Sequence, residues 1–444
     1  MSDKTEETYQ ERTPDELEAL TQGFQRTGVN YVAQPAPGYD VHGLWHCFGS
    51  HQRTGYAAHG IALHWMLSKV LGLTTELIPH RHVDIDTERF PEDRYDMLFE
   101  WMKSAVGSPH LLFASYPPEV AMHMQAVGPA LIPYCAFEGT HVSEFCRDIC
   151  NGPLFRQVWV VSEFVRNAML AGGVEPERVL TVRPPVCDGP WTVPPRRNER
   201  DGGPFTFGVL GTWQKRKGML DLVRAYFGAF TREDDVQLVI RTSHFSGNHT
   251  IKEFKEILTQ EIAELAAEFG DHHFPASKKM PKLRFLIGTA ATDQEIVDWL
   301  ASLDCYVNPS YGEGLGVPHV WAKASGIPMV STGYGAVGEL LEEIADHTGS
   351  LDARPDVIVP HRLEQVDQEV LRIALMFEAS SEWGAYDPAE FGAAMRKAFE
   401  AGFTYDEAGA AYVRNAFSLD ACVPTVRKAL TELVDAEQVK SWGL

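Results

Sequence analysis

Residues 205–331 show a regular alternation of two hydrophobic patterns. Short apolar runs typical of buried strands alternate with stretches whose apolar residues recur at i, i+3, i+4 and i+7, as on one face of a helix. The patterns predict strands at 205–210, 236–241, 283–287, 304–308 and 327–331, with helices near 219–230, 251–269 and 292–300. Such alternation predicts a parallel, doubly wound sheet that binds ligands at the carboxyl ends of its strands.

The first half of the chain alternates in a similar way. Predicted strands lie at 44–48, 111–113, 130–135 and 158–161, with a helix at 56–70. Ser162 is the predicted N-cap of the next helix, with Glu163 in its first turn. Beyond residue 362 the pattern predicts helices at 363–377, 388–399 and 422–434, and we expect the last one to pack back across the hinge.

A tract rich in proline, glycine and charge, residues 187–204, separates the two series and indicates a domain boundary. The predicted parts are an N-terminal arm at 1–28, α/β domains at 29–194 and 203–415, and a C-terminal helical segment at 416–444. The predicted fold class is therefore α/β, with two doubly wound Rossmann-like domains facing each other across a cleft.

Composition is that of a globular protein, with 444 residues, 44% of them hydrophobic and 23% charged. The chain contains no run of eighteen apolar residues and begins with a polar, acidic segment, so we expect neither a membrane span nor a secretory signal. Seven scattered cysteines without a C-x-x-C pair argue against a disulfide framework. These features predict a cytoplasmic protein.

A net charge of −22 opposes tight non-specific binding to nucleic acid or anionic lipid, which requires clustered lysine and arginine. Basic islands nevertheless occur at 196–197, 215–217 and 278–279. Each island could serve one phosphate group, and a solvated face is the commoner explanation.

Two sets of residues resemble metal sites. His141, Cys146 and Cys150 are close in sequence, but the helical spacing of the cysteines favours core packing over a zinc site with four ligands. Asp84 and Asp86 form a D-x-D pair, for which we favour a chance match. We predict no catalytic metal, and we interpret three further histidines as packing residues, His46, His59 and His64.

The segment 309–318 connects the strand at 304–308 to a helix and predicts a site for a phosphorylated ligand. Gly314 and Gly316 allow close approach of the backbone, and Pro318 suits a first helical turn whose free amides favour an anion. Glu313 beside them would accept hydrogen bonds from sugar hydroxyls. An ordinary glycine-rich turn is the alternative interpretation.

This segment also carries a resemblance to a known family. The family pattern E-G-F-G-x-P-x-x-E-A-M-A-x-G-x-P is matched at Glu313, Gly314, Gly316, Pro318, Ala322, Ala324, Gly326 and Pro328, and residues 211–218 resemble the family's G-R-L-x-x-x-K-G turn. The chain is similar to the retaining nucleotide-sugar glycosyltransferases of family 4 (group 1), which have the GT-B fold. The similarity is best over 205–345 and fair over 130–190.

The resemblance implies a metal-independent hexosyl- or pentosyltransferase that moves a sugar from a nucleoside diphosphate sugar to an acceptor hydroxyl with retention of configuration. The domain at 29–194 would hold the acceptor and the domain at 203–415 the donor. The implied catalytic residues are Glu313, Lys217 and Glu138. The implied donor-binding residues are Gly314, Leu315, Gly316, Thr212, Lys215, Arg216, Ser310, Trp321 and Lys323, and the implied acceptor-side loop holds Arg53, Thr54 and Gly55.

Three positions depart from the family pattern. Trp321 stands where a ribose-binding glutamate is expected, Lys323 where methionine is expected, and Thr212 where a phosphate-binding arginine is expected. Indole offers no acceptor for ribose hydroxyls, so these departures predict altered donor handling. Charge on the diphosphate would then be balanced by Lys217, with Lys215, Arg216 or Lys323 compensating.

Two other functions remain open from the sequence. One is a catalytically weak subunit that binds a sugar nucleotide and supports a partner transferase. The other is a glycosyltransferase that acts on nucleic acid, which the acidic balance disfavours. The expected partners are a nucleotide-sugar donor, an acceptor that is a glycan, a lipid-linked molecule or a small alcohol, and a second copy of the chain in a homo-oligomer.

Overall fold

The computed structural model of the chain describes most of residues 130–433. The described residues are 41–45, 60, 62–63, 66–67, 75–79, 111–115, 117–121, 130–187, 189–192, 194, 202–243, 250–273, 280–287, 293–349 and 355–433. The predicted arm at 1–28 lies outside them. Within the described residues the chain forms two six-stranded parallel sheets and one two-stranded antiparallel sheet.

The first sheet has the order β2-β1-β3-β4-β5-β6. Its strands are β1 (Val41–Trp45), β2 (Thr75–Pro79), β3 (Leu111–Ala114), β4 (Ala130–Cys135), β5 (Val158–Val160) and β6 (Val179–Thr181), with helices α1 (Pro118–Ala121), α2 (Glu144–Asn151) and α3 (Glu163–Ala171). The predicted N-cap of α3 is confirmed, because the Ser162 hydroxyl accepts a hydrogen bond from the Val165 amide at 3.3 Å.

The second sheet has the order β12-β11-β10-β7-β8-β9. Its strands are β7 (Phe205–Leu210), β8 (Val236–Thr242), β9 (Lys282–Ile287), β10 (Cys305–Asn308), β11 (Met329–Thr332) and β12 (Val357–Val359). Its helices are α4 (Met219–Ala229), α5 (Ile251–His273), α6 (Asp293–Ala301), α7 (Val317–Ala324) and α8 (Gly335–Thr348). The central strands β10 and β11 are buried on both faces, as expected for a parallel sheet covered by helices, whereas the edge strands β9 and β12 are partly exposed.

The remaining elements follow β12. They are β13 (Arg362–Gln365), α9 (Gln368–Ile373), β14 (Glu382–Ala385), α10 (Pro388–Ala401), α11 (Glu407–Ala416) and α12 (Leu419–Leu433). The sequence-based helix at 363–377 is wrong over its first residues, because β13 pairs antiparallel with β14. Gly384 of β14 packs against the Tyr334 ring, where a Cβ would lie 2.4 Å from Cγ of the tyrosine.

The two large sheets present their carboxyl ends to each other. The segment that follows β4 contacts the loop that follows β10, and the Ser162 hydroxyl at the end of β5 donates to the Gly314 carbonyl at 2.6 Å. Residues 374–382, in the second half, are hydrogen-bonded to the first: Ser143 donates its amide to Met376 and its hydroxyl to Leu375, at 2.8 and 2.6 Å. The halves are therefore joined by backbone hydrogen bonds.

The C-terminal helices return to the first domain, as expected. Phe417, between α11 and α12, accepts a hydrogen bond from the Cys187 amide at 3.1 Å, and the Arg183 guanidinium lies 4.8 Å from the centre of its ring. Glu339 on α8 caps α3 of the facing domain by accepting from the amides of Glu163 and Phe164. This is the predicted GT-B architecture. None of the helices in the described ranges is long and apolar enough to cross a bilayer.

Candidate functional site

The candidate site lies where the strand order of the second sheet reverses. β7 and β10 are neighbours, but the chain continues from β7 toward β8 and β9 and from β10 toward β11 and β12. The loops that leave the carboxyl ends of the two strands, residues 211–218 and 309–316, therefore diverge around a crevice. In open α/β sheets this switch point is where ligands bind.

An ion pair joins the two loops. Lys217 Nζ donates to Glu313 Oε1 at 2.5 Å, and Ser310 Oγ donates to the same oxygen at 2.6 Å. Ser310 is itself fixed, because its amide donates to Asn308 Oδ1 at 3.2 Å. The structure thus brings together three residues that the sequence predicts for the site, Lys217, Glu313 and Ser310.

Arg216 connects this pair to the facing domain. Its guanidinium donates to the Gly312 carbonyl at 2.7 Å and lies 3.6 Å from Glu313 Oε2 and 3.3 Å from Glu138 Oε1. Glu138 belongs to the segment after β4, so the contact spans the cleft. Two carboxylates and two cations from both domains therefore form one cluster.

Burial and charge act against each other in this cluster. Burial alone would raise the pKa of the Glu313 carboxyl, but Lys217 and Arg216 outweigh it and hold this pKa at about 2. Burial also lowers the pKa of Lys217, against the attraction of Glu313. The 2.5 Å contact favours the charged form of both partners, while the Arg216 cation favours ionised Glu313 and opposes the positive charge of Lys217.

The loop before α7 presents backbone amides to the same crevice. In the described part of the chain, no carbonyl or side chain accepts a hydrogen bond from the amides of Gly314, Leu315 and Gly316. Gly316 has φ +72° and forms the N-cap of α7, a backbone conformation that only glycine adopts readily. Free amides at a helix N-terminus make a site for an anion.

The sequence did not identify two residues that support this loop. His319 Nε2 lies 2.8 Å from Asn308 Oδ1, and its Nδ1 lies 3.1 Å from the Gly316 carbonyl. Burial lowers the pKa of His319 to about 4, although Glu313 attracts a proton to it. The signal that could have revealed them is their position, since Asn308 ends the strand and His319 lies in the first turn of the helix.

The glycine-rich loop lies directly against the first domain. Residues 309–317 are buried, and a Cβ on Gly314 would lie 2.8 Å from both Ala136 Cβ and the Phe137 amide nitrogen. A Cβ on Gly312 would lie 2.3 Å from the Glu138 carbonyl oxygen. The crevice is therefore closed on this side by contact between the two domains.

Two predicted donor-binding residues are engaged elsewhere. The Lys323 ammonium is fully buried and bonds Asp356 at 2.8 and 2.9 Å and Asp406 at 2.9 Å, near the amino ends of β11 and β12. This is the opposite edge of the sheet, so the structure does not bring Lys323 into the cluster. Trp321 stacks on Trp191 with ring centroids 4.4 Å apart, and its Nε1 donates to the Val186 carbonyl at 2.9 Å.

The other predicted residues are at the edge of the cluster or outside the described residues. Thr212 Oγ1 accepts from Gln214 Nε2 at 3.0 Å, and the exposed Lys215 ammonium lies 5.8 Å from the centre of the Tyr311 ring. Residues outside the described part of the chain are Arg53, Thr54, Gly55, Asp84, Asp86, His46, His59 and His64.

Of the first candidate metal site, His141, Cys146 and Cys150, the two cysteines pack in the hydrophobic core. Cys146 and Cys150 are fully buried on α2, with sulfurs 4.0 Å apart, and His141 Nε2 lies 3.2 Å from Glu378 Oε1 in the second half of the chain. His141 therefore serves the contact between the two halves.

The geometry gives the crevice three chemical capacities. Lys217 and Arg216 supply positive charge, the amides of residues 314–316 supply donors for anionic oxygens, and Glu313 supplies an acceptor for hydroxyl groups. The family model of Glycosyl transferases group 1 matches residues 204–372, which contain all of these groups. Residues 204–372 are therefore similar to the group 1 glycosyltransferases.

A short part of the chain is also similar to a curated glycosyltransferase. The lipopolysaccharide core biosynthesis mannosyltransferase LpsB of Rhizobium meliloti is 39% identical over 62 residues, which are 14% of this chain. The match spans only 18% of the length of that mannosyltransferase.

Solved structures of GT-B glycosyltransferases share the fold along most of the chain. Anabaena HepE, solved in complex with UDP and glucose, gives a TM-score of 0.56 at 11% identity, covering 89% of this chain and 100% of that one. Sucrose-phosphate synthase from Thermosynechococcus elongatus gives 0.52 at 14% identity, covering 90% and 99%. The catalytic domain of Starch Synthase IV from Arabidopsis thaliana, bound to ADP and acarbose, gives 0.54 at 14% identity, covering 91% and 99%.

Proposed function

We propose that this protein transfers a sugar from a nucleoside diphosphate sugar to an acceptor hydroxyl, with retention of configuration and without a catalytic metal. The observation that carries the proposal is the cluster of Lys217, Arg216 and Glu313 beside the free amides of residues 314–316, at the switch point of the second sheet. Solved relatives hold UDP with glucose, or ADP, which fits a nucleotide donor here.

The cluster suggests how a donor would bind. In the closed arrangement Glu313 and Glu138 are the anions that neutralise Lys217 and Arg216. A diphosphate carries the same kind of charge, so it would replace the carboxylates as the partner of the two cations. Glu313 would then be free to accept hydrogen bonds from the hydroxyls of the donor sugar. Donor entry requires the glycine loop to separate from residues 136–138.

The same groups would serve the chemical step. Negative charge grows on the departing diphosphate, where Lys217, Arg216 and the amides of residues 314–316 can stabilise it. Retention would follow if the departing phosphate oxygen takes the proton of the acceptor hydroxyl on the same face of the sugar. The protein then supplies orientation and electrostatic stabilisation, and Glu138 lies on the facing side where it could contact the sugar.

The test is transfer and hydrolysis with a panel of nucleoside diphosphate sugars, followed by assignment of the product anomer by NMR. We expect turnover with at least one donor, loss of turnover in Lys217→Ala and Glu313→Ala, and the donor's own anomeric configuration in the product. Inversion would disprove retention. Binding that raises the melting temperature without turnover would instead support a sugar-nucleotide-binding subunit.

A further inference from the structure

Arg241 is a half-buried cation beside the candidate site that the mechanism above does not use. It is the penultimate residue of β8, where its Cα pairs with that of Leu210 in β7, and its carbonyl accepts from the Gly211 amide at 3.1 Å. Gly211 begins the loop that carries Lys217. Arg241 therefore lies at the carboxyl edge of the sheet, one strand away from the switch point.

Its side chain lies on the face of the sheet that carries the N-terminus of α7. Tyr306 of β10 pairs with Gly208, so Asn308, two residues later, aligns with Leu210, and Leu210 aligns with Arg241. Paired residues in neighbouring strands point to the same face. Asn308 contacts His319 of α7 on that face. Two strand spacings put the backbone of Arg241 about 10 Å from that of Asn308.

The positive charge of the Arg241 guanidinium is only weakly neutralised by its surroundings. Among the described residues, no acceptor is hydrogen-bonded to the guanidinium and no carboxylate lies within ion-pair distance. The guanidinium carbon lies 5.9 Å from the centre of the Trp299 ring. Burial lowers the pKa of Arg241 despite the attraction of Glu295. A half-buried arginine that lacks a direct partner is set up to donate to a ligand.

We propose that Arg241 binds the nucleoside half of the donor, with the Trp299 indole beside the guanidinium. The inference rests on the proposed function. Lys217 and the amides of residues 314–316 hold the diphosphate. A nucleoside that extends from there across β7 reaches β8, whose backbone lies about 10 Å from that of β10. There the planar guanidinium can donate to ribose or base oxygens, which are uncharged acceptors. The ligand is a nucleoside diphosphate, and Arg241 recognises its nucleoside rather than its phosphates.

The experiment compares two probes by isothermal titration calorimetry on the full chain. The first is the tightest binder among UDP, ADP, GDP and dTDP, and the second is inorganic pyrophosphate, which lacks a nucleoside. In Arg241→Ala we expect the Kd of the nucleoside diphosphate to rise at least tenfold and the Kd of pyrophosphate to change less than twofold. The matched control is Arg284→Ala, since Arg284 pairs with Val239 on the same face but is exposed and farther from the carboxyl edge.

A second variant keeps the test valid if Arg241→Ala folds poorly. Arg241→Lys retains the charge but loses the planar fork, and we expect at least a fivefold rise in the Kd of the nucleoside diphosphate. Unchanged affinity in both variants would overturn the inference, and so would an equal loss for pyrophosphate. Failure of the wild-type protein to bind any of the probes would overturn the proposed function instead.

Discussion

Lys217 Nζ and Glu313 Oε1 are 2.5 Å apart although 96 residues separate them in sequence. The two residues lie in the loops that follow the neighbouring strands β7 and β10, and each contributes a charge that is mostly buried. Their contact closes the crevice in which we place the donor diphosphate. Because the contact is an ion pair, the stability of this region depends on the charge of both side chains.

Removing both charges of this pair should destabilise the protein less than the sum of the two single removals. Lys217→Met and Glu313→Gln should each lower the free energy of unfolding by about 2–4 kcal/mol, because a buried charge loses its partner. The double variant should recover about 1–2 kcal/mol of the summed loss. Urea unfolding of the four proteins measures the coupling.

A matched control for this cycle lies on α5. Lys252 and Glu256 are 3.9 Å apart, and their side chains are 87% and 67% exposed. Lys252→Met and Glu256→Gln should each change the free energy of unfolding by less than about 0.5 kcal/mol. Strictly additive losses at Lys217 and Glu313 would contradict the interpretation of a coupled buried pair.

The depressed pKa of Glu313 predicts a specific acid sensitivity. Its pKa is about 2 in the folded protein and near 4.5 in the unfolded chain, so the unfolded state binds the extra proton as pH falls. The stabilisation is fully present above about pH 5 and is lost progressively toward pH 2. Between pH 5.5 and 4 the wild type should lose about 1 kcal/mol more than Glu313→Gln in urea unfolding. Parallel pH profiles for the two proteins would contradict this prediction.

Lys323 should matter for stability and not for donor affinity. Lys323→Met leaves Asp356 and Asp406 without their cation and should cost about 3–5 kcal/mol. The affinity of the folded variant for a nucleoside diphosphate, measured at low temperature, should stay within twofold of the wild type. Adding Asp356→Asn should recover part of the lost stability. A tenfold affinity loss with unchanged stability would place Lys323 at the donor after all.

Gly312 should be intolerant of a side chain. A Cβ there would lie 2.3 Å from the Glu138 carbonyl oxygen of the facing domain, so Gly312→Ala should force the domains apart and cost about 1–3 kcal/mol. Gly203→Ala is the control, because its added Cβ meets no atom within 4 Å. Melting temperatures of the two variants measure the difference, and equal values would show that the contact is not maintained in solution.

The sequence predicts the parts of the site that depend on local chain geometry. Gly314, Gly316 and the helix that follows are dictated by a strand-to-helix turn, and the position of Lys217 follows from the equivalent turn after β7. Two such turns on neighbouring strands must meet at one edge of a parallel sheet. For this reason the proximity of Lys217 and Glu313 could be expected before the structure was known.

The parts that could not be predicted depend on partners far away in sequence. Lys323 bonds residues 33 and 83 positions later, and no local pattern distinguishes a buried lysine from a phosphate-binding one. Trp321 is stacked on Trp191 of the linker, a contact set by how the linker returns to α7. The prediction of a helix at 363–377 was wrong over its first residues. There the antiparallel pairing of β13 with β14 outweighed the helical spacing of apolar residues.

The hydrogen bonds between residues 140–144 and 374–382 limit how this protein can be rebuilt from parts. A chimera joined at the linker would combine the first half of this chain with a foreign second half, whose backbone need not place carbonyls where Ser143 contacts those of Leu375 and Met376. Exchange of halves should therefore succeed only when the segment 374–385 is transplanted to match the first half. Specificity can be altered more safely by grafting individual loops at the cleft.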